Sequence, residues 1–263
     1  MVDRIIGLAQ DLAAQVGDGR LVAGAVAVPG TVDEAAGIAR GAANLGWRDV
    51  PIAGLISQRL GVPFALGHDV RAGALAEGQL GSGRGSDDFL FVTIGTGVGG
   101  AIVAGGRVLA GAHSRAGEIG HLVVRPDGRE CACGKRGCLE TIASAPALIR
   151  RYREITGDAD SITAELVLER VRDGEDAAAR VWTEAVEALA DALAAFVTMF
   201  DPELVILGGG LGSVGPPLLD PLRTALTMRV RTASMPSLVT AAFGDAAGRV
   251  GAALLAWRLA GVT

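Results

Sequence analysis

Apolar positions along the chain recur with two different periods. Ile5, Ile6, Leu8, Ala9, Leu12 and Val16 read as the inward face of a helix over residues 2 to 16. Val22 to Val28 is a short apolar run ending at Pro29-Gly30, and Val62 to Leu66 is another, running into Gly67-His68-Asp69. Both read as strands, the second followed by a helical stretch to Gly81. Phe89 to Ile94 and Ala101 to Val103 read as paired strands around a glycine turn. From Ser144 the pattern is mainly helical. Its longest helix runs from Glu175 to Phe200, with Trp182, Val186, Leu189, Leu193, Phe196 and Phe200 as a core stripe. Leu204 to Leu207 is a further buried strand that meets Gly208-Gly209-Gly210, and a last helix covers about Ala246 to Leu259. Strands mixed with helices predict an α/β architecture. No internal repeat or low-complexity linker stands out.

Composition narrows the class. The 263 residues suffice for one large domain or two modest ones, and a chain that is 50% hydrophobic is not disordered. Its 39 glycines cluster between apolar runs, as turns and ligand-facing loops do. A net charge of -5 gives no electrostatic case for nucleic acid or an anionic membrane. No apolar run is long enough to span a bilayer, and the first residues, MVDRIIGLAQ, are not a signal peptide. The expected compartment is the cytoplasm, where three cysteines within eight positions point to metal rather than disulfides.

The metal spacing is His121-x9-Cys131-x-Cys133-x4-Cys138. Three thiolates and an imidazole make a closed tetrahedral set suited to structural Zn²⁺, with no open position for a metal-bound water. Gly128, Gly134 and Gly137 let the loop curl around an ion. The plainer alternative is three unrelated buried thiols beside a satisfied histidine.

Gly95-Thr96-Gly97-Val98-Gly99-Gly100 matches the dinucleotide pattern formally, but such a site needs a helix to start there. The chain instead continues as a second strand. The glycine hairpin still offers backbone N–H groups and a hydroxyl to phosphate oxygens, and a purely structural turn is its alternative. Asp69 follows a strand and precedes a helix, where α/β active sites commonly lie, although it could simply cap a helix beginning at Val70. Glu118, His121 and Glu140 flank the zinc loop. Carboxylates and imidazoles so grouped suit sugar hydroxyls, and one carboxylate can take a hydroxyl proton during attack on a phosphoryl group.

Ala116-Gly117-Glu118-Ile119-Gly120-His121, followed by Cys131-Ala132-Cys133-Gly134-Lys135-Arg136-Gly137-Cys138-Leu139-Glu140, closely resembles the signature of the ROK family of repressors, open reading frames and sugar kinases. Pro29-Gly30, Asn44-Leu45-Gly46-Trp47, Ile94 to Gly100 and Val205 to Gly210 extend the likeness along essentially the whole chain. The resemblance implies a two-domain, actin-like (ribonuclease H-like) sugar kinase fold. A small domain over 1–81 would receive a C-terminal helix, 245–263, and a large domain over 82–244 would carry the zinc loop 121–138. It makes Asp69 the catalytic base and Glu118, His121 and Glu140 sugar ligands, with His121 binding Zn²⁺ through one ring nitrogen and sugar through the other. Gly30, Asn44 and His68 join the sugar site, Thr96 and Gly97 match a second phosphate loop, and Gly208 and Gly209 match the glycine pair near adenosine. The implied partners are a hexose and ATP with Mg²⁺, in a glucokinase-like homodimer.

Two departures qualify this. His68 stands where the family usually has a sugar-binding asparagine. The Asp-x-Gly-Gly-Thr phosphate loop that opens family kinases occurs nowhere in the sequence. The expectation is therefore a chain lacking the first strands: a fragment, a misplaced start, or a degenerate member without kinase activity. A second functional class also stands, a non-catalytic sugar sensor related to the family's repressors, although nothing in the sequence resembles their helix-turn-helix.

Overall fold

Residues 2–15, 21–42, 45–158 and 161–261 are described in a computed structural model of the chain. The first half comprises α1 (Val2–Gln15), β1 (Gly24–Val28), β2 (Thr31–Asp33), β3 (Ile38–Ala42), β4 (Trp47–Val50), α2 (Ile52–Leu60), β5 (Phe64–His68) and α3 (Asp69–Leu80). The second runs β6 (Phe89–Ile94), β7 (Val98–Ala104), β8 (Arg107–Val108), α4 (Glu140–Ala143), α5 (Ala145–Thr156), α6 (Ala164–Arg172), α7 (Asp176–Phe200), β9 (Leu204–Gly208), α8 (Gly209–Gly212), α9 (Pro216–Arg229), β10 (Ser237–Thr240) and α10 (Ala247–Leu259). A 3₁₀ turn, Ile119–His121, precedes the cysteine loop.

The strand β6 explains the organisation of the larger sheet, whose order is β10-β9-β6-β7-β8. Its side chains alternate between two cores. Leu90, Val92 and Ile94 pack in the cluster that includes Trp182, Leu189 and Leu193 of α7. Phe89 and Phe91 pack in the cluster that includes Ala74 of α3 and Ala247 of α10. Both faces are buried, so β6 is a continuous apolar run, and each large side chain so covered contributes ~1.5–3 kcal/mol.

In the first half, β1 and β5 run parallel with Val28 opposite His68, and β2-β3-β4 form a separate antiparallel meander. Ile52 and Ile56 of α2 cover this pair together with Ile6 of α1. The last helix, α10, packs against α3, β1 and β5. That crossing is backbone to backbone: a Cβ at Gly251 would lie 1.8 Å from the Ala72 carbonyl oxygen. The fully buried Glu77 pins it further, accepting N–H groups of Ala242 and Phe243 in the turn that enters α10. No helix among the described residues is long and apolar enough to cross a membrane.

Two details depart from the periodicity argument. Only Ile6 of the α1 stripe is buried, while Leu8 and Leu12 are 56% and 63% exposed. At about 100° per residue, Ile5, Leu8, Ala9 and Leu12 fall within about 100° of one another with Ile6 about 60° beyond Ala9, so the helix is turned to bury the Ile6 edge of the stripe and leave the Leu8 and Leu12 edge exposed. Val16 lies outside the described residues. Phe200 is also largely exposed; it sits in the final turn of α7 and leans on Phe196, ring centroids 5.5 Å apart.

Candidate functional site

The strand β5 ends where α3 begins, and this junction carries the proposed base. His68 is the N-cap of α3, its Nδ1 accepting the Arg71 N–H at 3.4 Å. The proton of the neutral ring is therefore on Nε2, which lies 3.5 Å from Asp69 Oδ1. Burial holds His68 below its ordinary pKa, and the charge of Arg71 works in the same direction; Asp69, Glu118 and Glu34 oppose it. The ring is neutral at neutral pH. Asp69 is the first helical residue rather than the cap, and its half-exposed carboxylate also accepts the Val70 N–H at 2.8 Å.

The segment 116–121 is seated on β7 by close backbone approach. A Cβ at Gly120 would fall 2.0 Å from the Val98 carbonyl oxygen, and one at Gly117, where φ is +87°, would fall 2.4 Å from that of Gly100. Only glycine fits at either place. Ile119 is completely buried between them, which leaves Glu118 and His121 together, Oε2 to Nε2 3.9 Å. Glu140 begins α4, and its Oε2 accepts the Val98 N–H at 3.0 Å beside Gly97. It thus braces the glycine turn as well as standing by the cysteine loop.

The other His121 nitrogen, Nδ1, faces the thiols. One ligand atom from each of His121, Cys131, Cys133 and Cys138 lies within 4.8 Å of the others. His121 Nδ1 is 3.7 Å from Cys131 Sγ, and Cys133 and Cys138 Sγ are 3.6 Å apart. A zinc tetrahedron with bonds of ~2.3 Å to sulfur and ~2.05 Å to nitrogen has edges of about 3.6–3.8 Å, so the donor set fits that ion. The electrostatics agree: with thiols alone, burial and its two thiol neighbours push Cys138 up to about 12. A divalent cation at this group would let three thiolates share so small a volume.

The glycine motif is a hairpin turn. β6 and β7 pair antiparallel from Phe89 opposite Val103 to Ile94 opposite Val98, leaving Gly95, Thr96 and Gly97 at the tip. No helix opens there, which excludes the dinucleotide geometry. Gly208 lies opposite Thr93, and Gly209, with φ +76°, rests against the Ile94 backbone. Both glycine pairs therefore meet at the carboxyl ends of neighbouring strands. Val70 packs against Gly99 of the hairpin, joining the Asp69 junction to this half. Gly30, with φ +96°, follows β1 and touches Ala42. Asn44 lies outside the described residues.

Two residues of this site were not evident from sequence. Arg71 is 3% exposed and donates to Glu34 Oε1, and the same oxygen accepts the His68 N–H at 2.9 Å. An isolated arginine in the small, apolar run 70–76 was the available signal for Arg71; Glu34, among surface-like residues, offered none.

Residues 1–258 match the ROK family. The glucokinase of Thermotoga maritima is 37% identical over 224 residues, covering 80% of this chain and 69% of that protein. A ROK family glucokinase from Streptomyces griseus, solved in complex with glucose and AMPPNP, superposes with a TM-score of 0.84 at 32% identity, over 97% of this chain and 88% of the other. A ROK family transcriptional regulator, a homolog of the E. coli MLC protein, superposes with a TM-score of 0.86 at 28% identity, over 99% and 69%. With a signature segment seated on β7 and a fold shared from α1 to α10, this chain belongs to the ROK family and has its actin-like α/β sugar kinase fold.

Proposed function

We propose that this chain phosphorylates a hexose with ATP, glucose being the first acceptor to test. The observation that carries this reading is the junction of β5 and α3. Asp69 stands there beside a neutral His68, and its neighbour Val70 touches the hairpin that bears Thr96 and Gly97. In the proposed reaction Asp69 takes the proton of the sugar 6-hydroxyl as that oxygen bonds to the γ-phosphorus and the bond to ADP breaks. Backbone N–H groups around Gly97 and at Gly208-Gly209 face the phosphates, and Mg²⁺ enters with ATP to neutralise their charge. Glu118, His121 and Glu140 hold the sugar hydroxyls, with Gly30, Asn44 and His68 completing the sugar side. Zn²⁺ on His121, Cys131, Cys133 and Cys138 fixes that side mechanically and takes no part in bond making. The domain division at residue 81, the homodimer and a cytoplasmic location belong to the same reading; light scattering tests the dimer.

The test is an ADP-release assay with direct detection of sugar phosphate, across glucose, mannose, fructose and N-acetylmannosamine. Turnover of at least one hexose, lost in Asp69→Asn, supports the proposal. The likeness to a transcriptional regulator favours one second reading, a sugar sensor without catalysis. Saturable sugar binding with no product from any hexose selects the sensor.

A further inference from the structure

We propose that Arg71 is the positioning residue of this site, holding the base-bearing junction at a set distance from the loop that leads to Glu118. The inference rests on the kinase reading above. Arg71 stands two residues after Asp69, and its guanidinium reaches three acceptors, two on the β2–β3 hairpin and one on the loop that follows β8. Nε donates to Glu34 Oε1 at 3.2 Å, Nη2 to the Val32 carbonyl of β2 at 2.9 Å, and Nη1 to the Ser114 carbonyl at 3.2 Å. Ser114 is four residues before Glu118, in the loop that follows β8.

Three further observations single out this contact. Ser114 has φ +56°, a left-handed conformation that non-glycine residues avoid, and such strain gathers where surrounding structure enforces it. Glu34 uses one oxygen for both Arg71 and the His68 N–H, so the ion pair also fixes the backbone at the end of β5. Finally, the β2–β3 hairpin and the 110–115 loop are opposite walls of a cleft of about 930 Å³, and the guanidinium links these walls from the side of α3. A planar fork with five donors can serve three acceptors in different directions; an ammonium on a flexible stem cannot hold them in one geometry.

The test compares Arg71→Met, Arg71→Lys and Glu34→Gln with the parent protein, each checked for zinc content and thermal midpoint. A positioning role places the loss in turnover: kcat for glucose falls roughly 10- to 100-fold in Arg71→Met while the glucose KM moves less than about threefold, since misplacing reacting groups by an ångström costs the transition state most. Lysine restores only part of it. Amide hydrogen exchange supplies a readout free of turnover: residues 68–71 and 111–118 lose protection together in Arg71→Met, and 74–80 do not. A folded, zinc-loaded Arg71→Met with parental kcat, or with unchanged exchange over 111–118, overturns the proposal. Should Arg71→Met fail to fold, Arg71→Lys and Glu34→Gln carry the same exchange test. If the parent protein transfers no phosphate to any hexose, the kinase reading fails, and the exchange result alone decides whether Arg71 couples the two segments.

Discussion

Replacing Gly120 by alanine adds one methyl group at the point where the sugar-site turn rests on β7. The new Cβ would lie 2.0 Å from the Val98 carbonyl oxygen, whereas real Cβ atoms do not come closer than about 3.0 Å to such a neighbour. Val98 is held by the β6–β7 ladder and by Glu140, so the turn must lift by about 1 Å rather than the strand yield. Overpacking of this kind costs about 1–3 kcal/mol of stability. The same shift moves Glu118 and His121 away from the sugar they are proposed to hold. Losing about 2 kcal/mol of charge-assisted hydrogen bonding weakens glucose binding about 30-fold. Zinc content should stay stoichiometric, because the four ligand atoms belong to the loop that moves. Isothermal titration with glucose, alongside metal analysis and urea denaturation, reads all three effects. Glucose affinity within about threefold of the parent, in folded and zinc-loaded protein, would refute the claim that this backbone contact sets the sugar ligands.

Other consequences follow from the same geometry. Asp69→Asn should leave glucose binding nearly unchanged while turnover falls about 10²- to 10⁴-fold, the usual worth of a general base; retained turnover removes Asp69 from that role. Chelation should lower glucose affinity before the α7 core melts, because Zn²⁺ would hold only the loop carrying His121, whereas α7 is also packed against α5, α6 and α9. Unchanged affinity in protein shown by metal analysis to have lost zinc counts against this. His68 gives a pH dependence of definite sign. Its folded pKa is depressed below 6.5, chiefly by burial, so its contribution to stability is complete above 6.5 and is lost as pH falls through the folded value. Urea midpoints of the parent and His68→Asn should therefore differ more at about pH 7.5 than at about pH 5.5, and a difference independent of pH rejects the assignment.

Much of this was readable from residue order alone. Buried strands and long helices announce themselves because covering both faces of β6, or one stripe of α7, demands runs of apolar residues at fixed spacing. The cysteine loop was readable for the same kind of reason: four metal ligands within eighteen positions, with glycines between them, serve few other purposes. The exclusion of a dinucleotide site needed only the apolar residues after Gly100, which continue a strand where a helix was required.

Contacts between distant segments were decided by the tertiary structure. The strand–helix–strand–helix unit β1, α2, β5, α3 is echoed by β9, α9, β10, α10, each with parallel neighbouring strands, although no sequence repeat betrays it. Topology survives with any residues that fill its core, so likeness of fold outlasts likeness of sequence. The meander β2-β3-β4 was missed because its strands are short and bury few positions, Val32 in β2, Ala39 and Ala42 in β3 and none in β4, too few to set up a period. Glu34, Arg71 and Ser114 are a cluster only in space, drawn from three segments with up to 79 intervening positions. Residue types and their spacing determined that this protein has an α/β core, a zinc-type loop and a carboxylate at a strand end. Only the folded chain decided which carboxylate meets which cation, because a hydrogen bond depends on distance through space and not along the chain.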